Sequence, residues 1–193
     1  MPIETHPLRP FLPPNAKLLM LGSFPPQRKR WSMDFFYPNL NNDMWRIFGV
    51  VFFNDKNYFL AEIEKAFCKE KIVEFLTEKG IALYDTASVV RRLNDNASDK
   101  FLEVVEAADI SALLVKIPLC TTICATGQKA ADILLQQFPI EREPKTGEYI
   151  DFQHNNQQMR LFRMPSSSRA YPLKLEQKAS IYEAMLRKIG IMK

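Results

Sequence analysis

Lys17-Leu18-Leu19-Met20-Leu21-Gly22 is a short apolar run closed by a glycine, and it reads as a strand buried on both faces. Ile81-Ala82-Leu83-Tyr84-Asp85 reads the same way, just after a helix-forming stretch that stops at Lys79-Gly80. Thr121-Thr122-Ile123-Cys124-Ala125 makes a third strand, entering Gly127 and a helix from Gln128 to Gln137, and Arg160 to Met164 makes a fourth. Buried strands separated by helices pair in parallel through right-handed crossovers. The expected architecture is therefore α/β: a three-layer α/β/α sandwich around a four-stranded, mainly parallel central sheet. We expect one domain over residues 1–193, with 1–16 as an extended N-terminal arm, since residues 2–14 carry five prolines.

Between these strands the chain is less regular. Ser23 to Asn42 is rich in Pro, Arg, Asn and aromatic residues without a period, so it reads as a long loop of the kind that carries function. Asp43 can start a helix through Trp45, Ile47 and Phe48, and 57–78 reads as one helix or a broken pair. Thr86 to Lys100 reads as a polar loop, 101–107 and 110–116 as short helices, and Arg142 to Gln158 as a hairpin-like polar segment. The last helix carries its apolar stripe at Leu175, Ala179, Tyr182, Met185, Leu186 and Ile189.

With 47% hydrophobic residues over 193 positions the chain can bury a full core. A net charge of +4 permits a polyanionic partner without demanding one. No apolar run is long enough to span a membrane and the N-terminus lacks a signal-peptide pattern, so no membrane partner and a cytoplasmic location are expected. Cys68, Cys120 and Cys124 lack C-x-x-C spacing and read as reduced residues. His6 and His154 are the only histidines, too few for a histidine metal site or a Ser-His-Asp triad. We expect no metal and no cofactor.

In open parallel sheets ligands bind beyond the carboxyl ends of the strands. Those ends are Gly22-Ser23-Phe24-Pro25-Pro26, Asp85-Thr86, Thr126-Gly127-Gln128 and Met164-Pro165-Ser166-Ser167-Ser168-Arg169. The proline-serine turn leads toward a helix, and its small residues let an anion approach the main chain, although such a turn can equally be an ordinary cap. Gln27-Arg28-Lys29-Arg30-Trp31 mixes cations with an aromatic ring, suited either to nucleic acid or to a solvated loop. Phe35-Phe36-Tyr37-Pro38 either floors a flat pocket or forms a satellite core.

Four segments taken in order resemble the motifs of the uracil-DNA glycosylase superfamily. They are Gly22-Ser23-Phe24-Pro25, Asn42-Asp43-Met44-Trp45, Gly127-Gln128-Lys129-Ala130 and Met164-Pro165-Ser166-Ser167-Ser168. The proline-serine segment is similar to that of the mismatch-specific and thymine-DNA glycosylases. The Gly-Ser-Phe-Pro start, Gly80 to Asp85 and Ser98-Asp99 look more like the hypoxanthine-DNA glycosylase branch. The resemblance implies base excision without a metal by a monomer acting on lesion-containing DNA, duplex or single-stranded: a deaminated base, hypoxanthine or uracil, is flipped out and its N-glycosidic bond hydrolysed. It also implies roles. Asn42 would hold the base edge or water, and Asp85 or Asp99 would stabilise the sugar cation, Asp85 being open to a helix-cap reading as well. Gly22, Ser23, Phe24 and Phe35 would contact the substrate, with Phe35 as the stacking ring. Pro165, Ser166, Ser167, Ser168, Gln128 and Lys129 would contact DNA. Arg169 would fill the gap left by the flipped base, or else serve as a phosphate contact or salt-bridge partner.

The sequence departs from that pattern in ways that bear on chemistry. Phe24 stands where most members carry a water-orienting Asn or Asp, and Met164 stands where the fast uracil enzymes carry histidine. Two functions therefore remain open: an active glycosylase resting on Asn42 and a carboxylate, or a nucleic-acid-binding protein that kept the fold and lost the chemistry. Which of Asn39, Asn41 and Asn42 faces the pocket is also open.

Overall fold

The computed structural model describes residues 3–63, 65–93 and 101–193. In chain order the elements are β1 (Ile3–Thr5), β2 (Leu18–Gly22), α1 (Met44–Phe53), α2 (Lys69–Lys79), β3 (Ile81–Asp85), β4 (Ala87–Arg92), β5 (Leu102–Ala107), α3 (Ile110–Lys116), β6 (Thr122–Thr126), α4 (Gln128–Gln137), β7 (Tyr149–His154), β8 (Gln157–Met164) and α5 (Leu175–Lys188). The central sheet has five strands in the order β3-β2-β6-β8-β7. Its β3, β2, β6 and β8 are parallel, and β7 runs antiparallel to β8.

Alternation along the buried strands divides the core into two layers. Leu18 and Met20 of β2 face α1, α2 and α5, meeting Trp45, Phe48, Phe75 and Tyr182. Leu19 and Leu21 face α3 and α4, meeting Ile110, Leu114, Ala131 and Leu134. Successive strand side chains point to opposite faces, so a run apolar at every position is covered by helices on both. The expected α/β/α layering is found, but the sheet has five strands where four were expected. The fifth comes from the hairpin-like segment: Asn155 and Asn156, both with left-handed φ (49° and 60°), make the two-residue turn that folds β7 onto β8.

A second sheet, β1-β4-β5, was not expected. Residues 101–107 read as a helix, yet Leu102–Ala107 forms a strand antiparallel to β4, within what read as a polar loop. Short apolar runs do not separate helix from strand by period alone; here Val90 and Leu102 bury together with Ala87, and long-range pairing decides. Likewise, among the described residues of the expected 57–78 helical stretch, only those from Lys69 onward are helical, in α2. In the N-terminal segment Ile3, Glu4 and Thr5 form a strand, pairing with Arg91, Val90 and Val89. That pairing carries the residues after it toward the ends of β2 and β3.

No helix among the described residues is long and apolar enough to cross a membrane. The three cysteines are free, and burial pushes the Cys120 thiol up to about 12 and the Cys124 thiol up as well.

Candidate active site

The carboxyl ends of β2, β3 and β6 and the turn after β8 open on one cavity of about 590 Å³. Gly22, Asp85, Thr126 and Ser166 to Ser168 line it from the sheet side, while Phe24, Phe36, Tyr37, Asn39, Asn41, Asn42, Arg30 and Arg169 line it from the loops. The rim expected from topology is therefore a real concavity.

Gly22 and Asp85 are paired residues of neighbouring parallel strands. A Cβ built on Gly22 would lie 2.4 Å from Asp85 Oδ1, so glycine is needed there for the carboxylate to rest against the backbone. The other oxygen, Oδ2, lies 2.9 Å from Nε2 of His6. Both side chains are nearly dry, at 2% and 8% exposure. The His6 ring sits among Tyr84, Phe24 and Phe36, at centroid separations of 4.6, 5.2 and 6.3 Å. Burial and the nearby Asp85 charge push the Tyr84 phenol up. His6 was set aside in the sequence because two histidines are too few for a metal site or a triad; it stands 79 residues from Asp85, and only its proximity in space reveals it.

Tyr37, at φ 49°, holds a left-handed conformation that a bulky residue adopts only when its surroundings impose it. Its hydroxyl lies 2.9 Å from Thr126 Oγ1, which donates to the Leu21 carbonyl at 3.1 Å. The threonine proton being used, the tyrosine is the donor, and the ring is fixed above the end of β2.

The opposite wall is a seam between the asparagine loop and the proline-serine turn. Asn42 bridges Ser168, Asp43 N–H donates to the Ser167 carbonyl at 2.8 Å, and Arg169 N–H donates to the Asn41 carbonyl at 3.2 Å. Asn42 Oδ1 accepts the Met44 N–H at 2.9 Å just before α1, and its Nδ2 has no partner among the described residues. Behind the seam, buried Asp43 accepts from Lys178 Nζ at 3.1 Å and Arg169 Nε at 3.3 Å. Lys178 is fully buried and also donates to the Ser168 carbonyl at 2.7 Å, while the Tyr182 hydroxyl donates to the Pro165 carbonyl at 3.0 Å. Helix α5 thereby locks the turn. Lys178 went unnoticed in the sequence, although its place between Leu175 and Tyr182 on the apolar stripe could have flagged a lysine turned inward.

Beside this wall a second groove, lined by Arg46, Lys56, Lys174 and Asp43, shares Arg169 with the main cavity. Burial and the neighbouring Arg169 charge hold the Arg46 guanidinium below its usual range.

The structure gathers most, not all, of the expected residues. Asn42, Asp85, Gly22, Ser23, Phe24, Ser166, Ser167, Ser168 and Arg169 line the cavity. Phe35 does not: it packs in the core against Phe11 and Trp45, and its neighbour Phe36 takes the wall position. Pro165 supports the turn through its carbonyl. Gln128 and Lys129 lie outside the lining; Gln128 donates to Asp132 and Glu143 and accepts from Arg163. Phe24 is turned edge-on to His6. In the Gln27 to Trp31 stretch only Arg30 reaches the cavity, Arg28 being stacked at 4.0 Å on Trp31. Asp99 lies outside the described residues. Among those residues no three His, Cys, Asp or Glu side chains come together to hold a metal ion.

No protein-family profile matches this sequence, and no curated protein matches it. Among solved structures it is similar to that of a "putative Uracil DNA glycosylase" from Methanosarcina acetivorans, with a TM-score of 0.64 and 24% identity over 97% of this chain and 99% of that one. The two proteins share a fold along nearly their whole lengths.

Proposed function

We propose that this protein is a DNA glycosylase that hydrolyses the N-glycosidic bond of a deaminated base, hypoxanthine or uracil, in DNA. One observation carries the reading: an asparagine amide, a dry carboxylate and a serine-arginine turn line the same strand-end cavity. The fold likeness supports it.

The proposed reaction begins with a base extruded into the cavity. The C1′–N bond breaks, its electron pair leaves with the base, and positive charge develops on the sugar. Asp85, held in a low-dielectric wall, stabilises that charge. Water then adds to C1′, and the proton it loses ends on the departing base anion, leaving a neutral base and an abasic sugar. Asn42 presents Nδ2–H to the base edge or to that water, while its Oδ1 retains acceptor capacity beyond the Met44 bond. The N–H groups and hydroxyls of Ser166 to Ser168 and the Arg169 guanidinium take the flanking phosphates. Phe36, rather than Phe35, supplies the aromatic wall.

The test is base release from oligonucleotides each carrying one uracil, hypoxanthine, xanthine or mismatched thymine. Release of a deaminated base by the wild type, lowered about a hundredfold or more in Asn42→Ala, is the expected result; full activity in that variant removes Asn42 from the mechanism. A second reading, a nucleic-acid-binding protein without the chemistry, is favoured by Phe24, whose side chain offers no polar group at the cavity wall. Duplex binding with no base released from any substrate would establish it.

A further inference from the structure

We infer that His6, delivered by the N-terminal arm, is the positioning residue for the Asp85 carboxylate; this rests on the glycosylase reading of the cavity. Asp85 is 6% exposed and lines the cavity, yet only one of its oxygens is bonded among the described residues. His6 Nε2 holds Oδ2 at 2.9 Å, and Oδ1, pressed against Gly22, receives no hydrogen bond from any described residue. Oδ1 is not sealed in the core but keeps contact with the cavity, where a donor can reach it. It is the oxygen held against the strand end at the cavity wall.

The surroundings of His6 keep that geometry in two protonation states. Nδ1 lies 3.2 Å from the Leu8 N–H and 3.0 Å from the Leu8 carbonyl. When Nδ1 accepts from the N–H, the ring is neutral and its proton is on Nε2, donated to Asp85. In the doubly protonated ring Nδ1–H reaches the carbonyl and Nε2–H still donates to Asp85. In both states a donor faces Oδ2 and fixes the carboxylate plane. The ring cannot swing away: Tyr84, Phe24 and Phe36 enclose it, and β1 pairs the arm to β4 immediately before it. Phe24 thus has a structural use, as the lid over the imidazole that orients the charge.

The experiment compares wild type with His6→Phe, which keeps a packed ring without a donor, and His6→Gln, which restores an amide N–H near the Nε2 position. Single-turnover base release at saturating enzyme is measured beside the Kd for the same lesion duplex. We expect His6→Phe to lower the rate roughly tenfold to a hundredfold, the range typical of partners that orient a functional group, with Kd changed less than twofold. His6→Gln should recover most of the loss. A wild-type rate in His6→Phe, or a loss confined to Kd, overturns the inference. The ¹³Cγ resonance of Asp85 provides a readout independent of turnover: it should move in His6→Phe and return toward the wild-type position in His6→Gln. An Asp85 resonance identical in wild type and His6→Phe overturns the role of His6 even if the protein proves inactive on every substrate. Inactive wild type with a shifted resonance would refute the glycosylase reading while leaving the His6–Asp85 coupling in place.

Discussion

The two walls of the cavity are built by opposite means. On one, His6, Asp85 and Gly22 form a dry contact held by side chains, with the carboxylate 8% exposed. On the other, Asn42, Ser168 and Arg169 are joined mainly through backbone hydrogen bonds, and the Arg169 side chain is 52% exposed. The difference follows the work each wall is suited to. A fixed charge acts most strongly where water is excluded. A cation that grips a polyanion must stay accessible and exchange counterions.

Behind the exposed wall stands a buried support, and breaking it should have the largest effect. Asp43→Ala would leave fully buried Lys178 without its carboxylate and remove the ion pair of Arg169. A loss of about 3–5 kcal/mol is expected from urea unfolding, because an uncompensated buried charge remains. Unchanged stability would show that the Ser168 carbonyl alone satisfies the ammonium. On the dry wall, Gly22→Ala should cost about 1–3 kcal/mol through overpacking and should also displace Asp85, lowering base release. A variant with native stability and full activity would mean that the carboxylate moves freely and that this wall is less rigid than described. The smallest effect belongs to the exposed wall. Arg169→Ala should change stability by less than about 1 kcal/mol, as for partly exposed ion pairs. It should weaken duplex binding and reduce the slope of log K against log salt by about 0.9 for the phosphate contact removed. A slope equal to wild type would place Arg169 on a base or a base gap rather than on a phosphate.

Much of this site was legible because its elements announce themselves locally. Gly22 and Asp85 close strands whose apolar runs are unmistakable, Ser166 to Ser168 follow β8, and parallel topology puts such ends on one edge. Phe35 and Phe36 illustrate the limit: the two rings are adjacent and chemically identical, so only the course of the loop decides which one packs on Trp45 and which lines the cavity. The sheet formed by β1, β4 and β5 was equally hidden, since its strands are short and one of them lies in a proline-rich arm.

The sequence by itself determined the layered parallel core, since apolar runs and helix stops are local signals that set which segments can be buried. Only the tertiary structure decided which charges meet. His6 and Asp85 are 79 residues apart and Asp43 and Lys178 are 135 apart, and no pattern within a segment encodes either pair. Such contacts arise after the sheet has closed, when burial makes an unpaired carboxylate or ammonium costly and selects the partner within reach.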